Sequence, residues 1–267
     1  MQPISSGGIK MSQFTYGLEF EVTQISPSTA SRALTQGGIN CLEPRNQHVL
    51  STEWTAVHDG SVRGAEVVSP ILNDARLNEA STVARLLLGA GASVDRTTGF
   101  HVHVGFDSFG DSFEERLNTL ANFYINWHTA HETIGTLVAP SRLNNRFCKV
   151  RTVAEAHATA ERIRGGHIGI GDRYVSLNLE SFDRHGTIEV RLHQGTLNGR
   201  KAIAWTEFIA GLVDYSKANN LLGATYSRTD IRLNNIQTLL DEIAQDNLDV
   251  RTADYLKRRA LNLQGQA

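Results

Sequence analysis

The stretch Gly99-Phe100-His101-Val102-His103-Val104-Gly105 decides how the rest of the chain is read. Side chains alternate across a strand, so His101 and His103 share one face and Phe100, Val102 and Val104 the other. The apolar set is ordinary strand core. The two imidazoles, roughly 7 Å apart along the strand, belong to a face that is not simple core. Alone, such a pair fits a polar sheet face as well as a ligand pair. Three further stretches repeat the alternation with carboxylates: Gly17-Leu-Glu-Phe-Glu-Val22, Gly64-Ala-Glu-Val-Val68 and Thr187-Ile-Glu-Val-Arg-Leu-His193. Together they place Glu19, Glu21, Glu66, His101, His103, Glu189, Arg191 and His193 on strand faces opposite strongly apolar ones. Four carboxylates converging on one face repel, and their pKa values rise unless cations neutralise them. That is the pattern of a metal site.

The 267 residues allow one large domain or two small ones, with a sizeable core. A hydrophobic share of 40% and a charged share of 20% are ordinary for a soluble globular protein. A net charge of -2 and the lack of a basic run give no footing for nucleic acid. No apolar run is long enough to cross a membrane. The first residues, to Gln13, are polar and lack the apolar segment of a secretory signal. With only Cys41 and Cys148, neither a disulfide framework nor a CxxC zinc site is available, and a reducing cytoplasm is the default compartment.

Residues 1–13 read as a flexible lead-in and 14–267 as a single domain. A strand is expected over Thr15–Thr23 and a short helix around Ser28–Leu34, closed by Gly37-Gly38. A strand over Val49–His58 turns through His58-Asp59-Gly60-Ser61 into the Glu66 strand as a hairpin. Asn73 is placed to cap a helix reaching Leu88, with Ala75, Ala80, Val83, Ala84 and Leu87 inward. Ser112-Phe-Glu-Glu115 is a capping box opening a long amphipathic helix through Trp127, His131 and Ile134, with His128 and His131 at its surface and core edge. Ser141–Val150 reads as a basic loop. Thr152-Val-Ala-Glu155 opens another helix, and the loop Gly165–Gly171 lacks the helix that phosphate-loop mechanics require. Tyr174–Glu180 alternates as a strand paired with the Glu189 strand. Asn198-Gly199 precedes a helix over Lys201–Ala218, and two more helices follow from about residue 230. Hairpins mixed with long helices predict an α+β fold, an antiparallel sheet with a charged concave face backed by helices.

Four or five oxygen ligands with one or two imidazoles suit Mg²⁺ or Mn²⁺ better than Zn²⁺. Mg²⁺ sites of this kind usually hold substrate phosphates, which points to phosphoryl transfer from ATP. The segments GLEFEV, HDGSVRGAEVVSP, GFHVHVG, NNRFCK, RYVSLNLE and HGTIEVRLHQGTLN, in this order from residue 16 to about 200, resemble the amidoligase (carboxylate–amine ligase) family of the glutamine synthetase and glutamate–cysteine ligase superfamily.

The resemblance implies a fold like the glutamine synthetase catalytic domain and ATP-dependent amide formation through an acyl phosphate. It implies Glu19, Glu21, Glu66, His101 and Glu189 as metal ligands. His103 falls near the ATP phosphates, and Arg191 on substrate or phosphate. Arg146 and Arg173 stand in for the arginines that glutamine synthetase carries near this strand, Arg146 toward the nucleotide with Asn178 and Arg173 toward the transferring group. Asp59 is the candidate for binding or deprotonating the amine. Substrates are expected to be a carboxylate and an amine, with an amino acid, a peptide or a protein side chain as acceptor, and an oligomer is compatible. Two other readings use the same residues: a metal-dependent hydrolase on the His/Glu face, and a non-catalytic binding protein that keeps the fold.

Overall fold

The computed structural model describes residues 14–43, 51–58, 60, 63–169, 171–218, 221–222, 232–245 and 248–264. The expected lead-in over residues 1–13 and the candidate Asp59 lie outside them. In chain order the elements are β1 (Tyr16–Thr23), α1 (Pro27–Gln36), β2 (Cys41–Leu42), β3 (Trp54–Val57), β4 (Gly64–Val68), α2 (Glu79–Gly89), β5 (Gly99–Gly105), α3 (Phe113–Thr129), α4 (His131–Ile134), α5 (Pro140–Leu143), α6 (Val153–Arg164), β6 (Leu177–Asn178), α7 (Ser181–His185), β7 (Thr187–Gln194), α8 (Gly199–Lys217), α9 (Arg232–Ala244) and α10 (Val250–Gln264). The strands form one sheet in the order β2-β3-β4-β1-β5-β7-β6. The fold is α+β, as expected. Every pairing is antiparallel except the two-residue edge strand β2, which runs parallel to β3.

The alternation read from the sequence separates the two faces of the sheet. Leu18, Phe20 and Val22 of β1 and Phe100, Val102 and Val104 of β5 are buried on the helix side. Phe20 meets Phe100 at 4.8 Å between ring centroids, and the aromatic contacts run on through His193 and Trp205 to Trp127 of α3. Buried aromatics of this size dominate core energetics, and truncating one to alanine typically costs about 3–5 kcal/mol. The Trp127 indole N–H is satisfied by Ser176 Oγ at 3.0 Å.

The caps lie largely where the sequence places them. Ser112 with Glu115, and Thr152 with Glu155, form the two reciprocal capping boxes of α3 and α6. Asn198 caps α8, whereas α1 begins at Pro27 with Ser26 as its cap, just ahead of the start expected around Ser28. Asn73 differs. It caps only a 3₁₀ turn, Asp74–Arg76, and α2 starts at Glu79, leaving Ala75 exposed. The expected strand at Tyr174–Glu180 shrinks to β6, because the Glu180 N–H turns back to Asn178 Oδ1 and α7 begins. Gly186, at φ 65° and ψ 27°, closes α7 in the left-handed region and turns the chain into β7.

α3 is not the amphipathic helix that its spacing predicts. Phe113 is exposed, whereas nearly every residue from Leu117 onward is buried on all sides. Asn122 and Asn126 remain satisfied there by donating to Ser216 O and Ser216 Oγ. The helix also stops at Thr129, because Ala130 leaves helical geometry (φ -90°, ψ 6°) before α4 begins. The apolar stripe crosses this break without interruption, so periodicity does not register it.

His128 and His131 are buried, not at a surface or core edge, and among the described residues their Nε2 atoms have no hydrogen-bond partner. Burial pushes the His131 imidazole down to about 4. Burial, with His131 and Arg151 nearby, holds His128 well below the usual histidine range. Their folded values lie below the unfolded value, so the fold refuses protons that the unfolded chain accepts as pH falls from roughly 6.5 toward 4. Stability is therefore expected to decline through that window, by on the order of 3 kcal/mol for His131 alone. Denaturant unfolding at pH 7 and pH 4.5 measures this, and His131→Phe, which keeps bulk without titrating, is expected to flatten the profile.

Candidate metal and anion site

Strands β4, β1, β5 and β7 are consecutive neighbours, and their registers bring the polar residues into one field. Glu21 lies opposite Glu66, Glu19 opposite His101, and His103 opposite Glu189. Directly opposed residues project on the same face, which is why four separate alternating stretches produce one cluster. Glu19 is its centre. One carboxylate oxygen is 2.9 Å from His101 Nδ1 and the other 3.1 Å from His103 Nε2. His101 Nδ1 also lies 3.4 Å from Glu189 Oε1, and its Nε2 lies 3.7 Å from Glu21 Oε1.

The surroundings hold these groups in place. Asn178 donates to Glu189 Oε2 at 2.7 Å, and the Arg191 guanidinium pairs with the other oxygen. Arg191 Nε donates to the Phe147 carbonyl. Thr187 Oγ1 meets His103 Nδ1 at 2.9 Å, and Glu21 accepts from the Gly99 backbone N–H. Gly99 is needed for that approach: a Cβ there would sit 2.5 Å from His101 Nε2 and 3.3 Å from Glu21 Oε2. Gly17, opposite His103, similarly clears space beside that ring.

Electrostatics follow from this packing. Burial drives the Glu19 carboxyl upward, but His103 and His101 more than offset it and leave it well below the ordinary carboxylate range. Burial likewise opposes ionisation of Glu189, and Arg191 with His103 holds it low. Burial depresses His103, yet Glu19 and Glu189 raise it above its ordinary value. Imidazole and guanidinium thus offset the repulsion that the sequence predicts among the carboxylates.

Of the residues singled out from sequence, Glu19, Glu21, Glu66, His101, His103, Glu189, Arg191 and Asn178 lie on this face. Glu19, Glu66 and His101 present ligand atoms within 4.8 Å of one another, and so do Glu19, His103 and Glu189. Two carboxylates and one imidazole in each triad suit a hard divalent cation. Glu21 lies beside the first triad, opposite Glu66 and 3.7 Å from His101 Nε2, and belongs to neither. Both ends of the Asn178 amide are engaged, by Glu189 and by the Glu180 N–H, so it acts on this face by orienting Glu189.

His193 is not on the charged face. It is buried at 1% exposure against Phe100 and Trp205. β7 contains a bulge: Phe100 opposes His193 but Val102 opposes Val190, so one extra residue reverses the alternation. Arg146 and Arg173 are exposed, with their guanidinium groups over the rings of Phe147 and Tyr174, which meet edge to face at 5.5 Å. The Phe147 carbonyl links this exposed group to Arg191. Sequence reading missed Thr187, Gly17, Gly99 and Arg142. For the glycines a signal existed, since they flank the alternating runs at positions where a side chain would fill the site face.

Fold and site define an α+β protein whose sheet presents a carboxylate–imidazole face suited to divalent cations. Residues 12–213 match the family model described as "putative amidoligase enzyme", about three quarters of the chain, and the chain belongs to that amidoligase family. No curated protein matches it. The family description points to ligase-type amide bond formation. Among the described residues, no helix is long and apolar enough to cross a membrane.

Proposed function

We propose that the protein is an ATP- and Mg²⁺-dependent carboxylate–amine ligase, with Mn²⁺ as an alternative ion. The observation that carries this is the pair of triads sharing Glu19 beside the Glu189–Arg191 pair, in a chain of the amidoligase family. Glu19, Glu66 and His101 would hold one ion and Glu19, His103 and Glu189 another, with Glu21 as a neighbouring carboxylate. Bound there, divalent ions supply charge neutralisation for the nucleotide phosphates.

The proposed reaction has two steps. A substrate carboxylate oxygen attacks the γ-phosphorus of ATP, releasing ADP and forming an acyl phosphate. An amine then attacks the acyl carbon, phosphate leaves, and the amine loses a proton. Arg191, largely buried and already oriented by Glu189, stabilises negative charge on the transferring group. Arg146 and Arg173, exposed beyond the Phe147 carbonyl, add positive charge on the approach side. Asp59 is assigned the amine proton on sequence grounds alone.

The test is calorimetric titration with a non-hydrolysable ATP analogue, with and without Mg²⁺, beside a Glu19→Ala/Glu189→Ala double variant. Magnesium-dependent binding that the double variant loses is the expected result. No binding to the wild type, or binding that the double variant retains, would overturn the assignment.

A further inference from the structure

Arg142 is almost completely buried, at 3% exposure, and among the described residues it forms no ion pair. Its guanidinium instead donates to two successive carbonyls of β7, Arg191 O at 2.7 Å through Nη2 and Leu192 O at 3.2 Å through Nε. Successive carbonyls of a regular strand point to opposite edges, so one fork reaching both requires the irregularity that the bulge supplies. These two residues are the ones facing His101 across the register shift. Short α5 is itself tied down. The Cys148 thiol donates to Arg142 O at 3.1 Å, and Gln194 Oε1 accepts from the Ala139 N–H at 2.9 Å.

Pairing geometry shows what the bulge accomplishes. With Phe100 kept opposite His193 and no extra residue, Val190 would face His103, and Glu189 and Arg191 would turn into the core. With Glu189 kept opposite His103 and no extra residue, Leu192 would oppose Phe100, and His193 would turn onto the charged face. Only the bulged register satisfies both halves of β7.

We infer that Arg142 is a positioning residue that clamps the β7 bulge, keeping Glu189 and Arg191 on the site face and His193 in the core. Its consequence for ion binding rests on the proposed reading of that face; its structural part does not.

The test uses the full chain as wild type, Arg142→Met and Arg142→Lys. Folding is checked by circular dichroism, Mn²⁺ affinity by calorimetry, and His193 accessibility by diethyl pyrocarbonate modification mapped by mass spectrometry. In the wild type His193 is expected to be protected. In Arg142→Met it becomes modified, and Mn²⁺ affinity falls about tenfold or more, as for loss of a supporting contact to a metal ligand. Arg142→Lys keeps the charge but not the two-armed fork, and its expected effects go the same way to a smaller degree. If Arg142→Met does not fold, the lysine variant decides on the same criteria. His193 remaining protected in the folded variants overturns the clamp, whatever the affinity does. If the wild type binds no Mn²⁺, the ion-binding reading fails, and His193 modification alone still decides the clamp.

Discussion

A Glu19→Ala variant is expected to remain folded and to lose more than about 100-fold in Mn²⁺ affinity. Removing a mere supporting partner of a ligand costs 10–100-fold, and Glu19 is the one residue common to both triads. Its two oxygens face different imidazoles, so no neighbouring group can replace both. The fold survives because the change deletes a half-buried charge along with its partner contacts; without Glu19, burial returns His103 toward its neutral form. Glu21→Ala is the contrasting control. Glu21 accepts from the Gly99 N–H and stands outside both triads, so its loss is expected to weaken binding far less. Calorimetric or paramagnetic Mn²⁺ titration beside thermal unfolding checks both variants, and equal effects at the two positions would count against the central role of Glu19.

Arg191→Ala is expected to destabilise the fold by about 3–5 kcal/mol at neutral pH, the usual cost of leaving one member of a buried ion pair unmatched. The exposure of the pair, 12% for the Arg191 side chain and 6% for Glu189, places it in that regime. In the wild type, Glu189 has a folded value below its unfolded one of 4.5, so its contribution is present above that value and is lost as pH falls through the folded value. Without Arg191, burial and Glu19 push the Glu189 carboxyl upward, and the variant is expected to gain stability, relative to wild type, as pH is lowered from neutrality. Mn²⁺ should also restore part of the lost stability by supplying positive charge against the same carboxylates. Urea unfolding across pH, with and without Mn²⁺, reads all three effects. A variant as stable as wild type without the ion would refute the electrostatic account.

These expectations depend on residues that differ in how far sequence alone exposes them. Glu19, Glu21, Glu66, His101, His103, Glu189 and Arg191 are legible because period-two alternation is a local property: once a segment is a strand, the opposite face follows. Capping boxes at Ser112 and Thr152 are legible for the same reason, since their partners lie three residues away. Asn178 is legible as a polar member of an alternating run, but its task of orienting Glu189 emerges only when β6 lies against β7. The break at Ala130 leaves no trace in the apolar spacing, so the buried setting of His128 and His131 is hidden in the same way.

The sequence by itself determined the α+β class, the sets of residues that share each strand face except beyond the β7 bulge, and the carboxylate–imidazole chemistry of one of those faces. Only the tertiary structure decided which strands are neighbours, that Glu19 joins two triads, and that His193 belongs to the core. The physical reason is that alternation specifies relative direction within a strand, whereas register is set between strands by long-range pairing. One extra residue in β7 reverses the alternation for everything beyond it, and the arginine bonded to that extra turn of chain comes from a helix some fifty positions away.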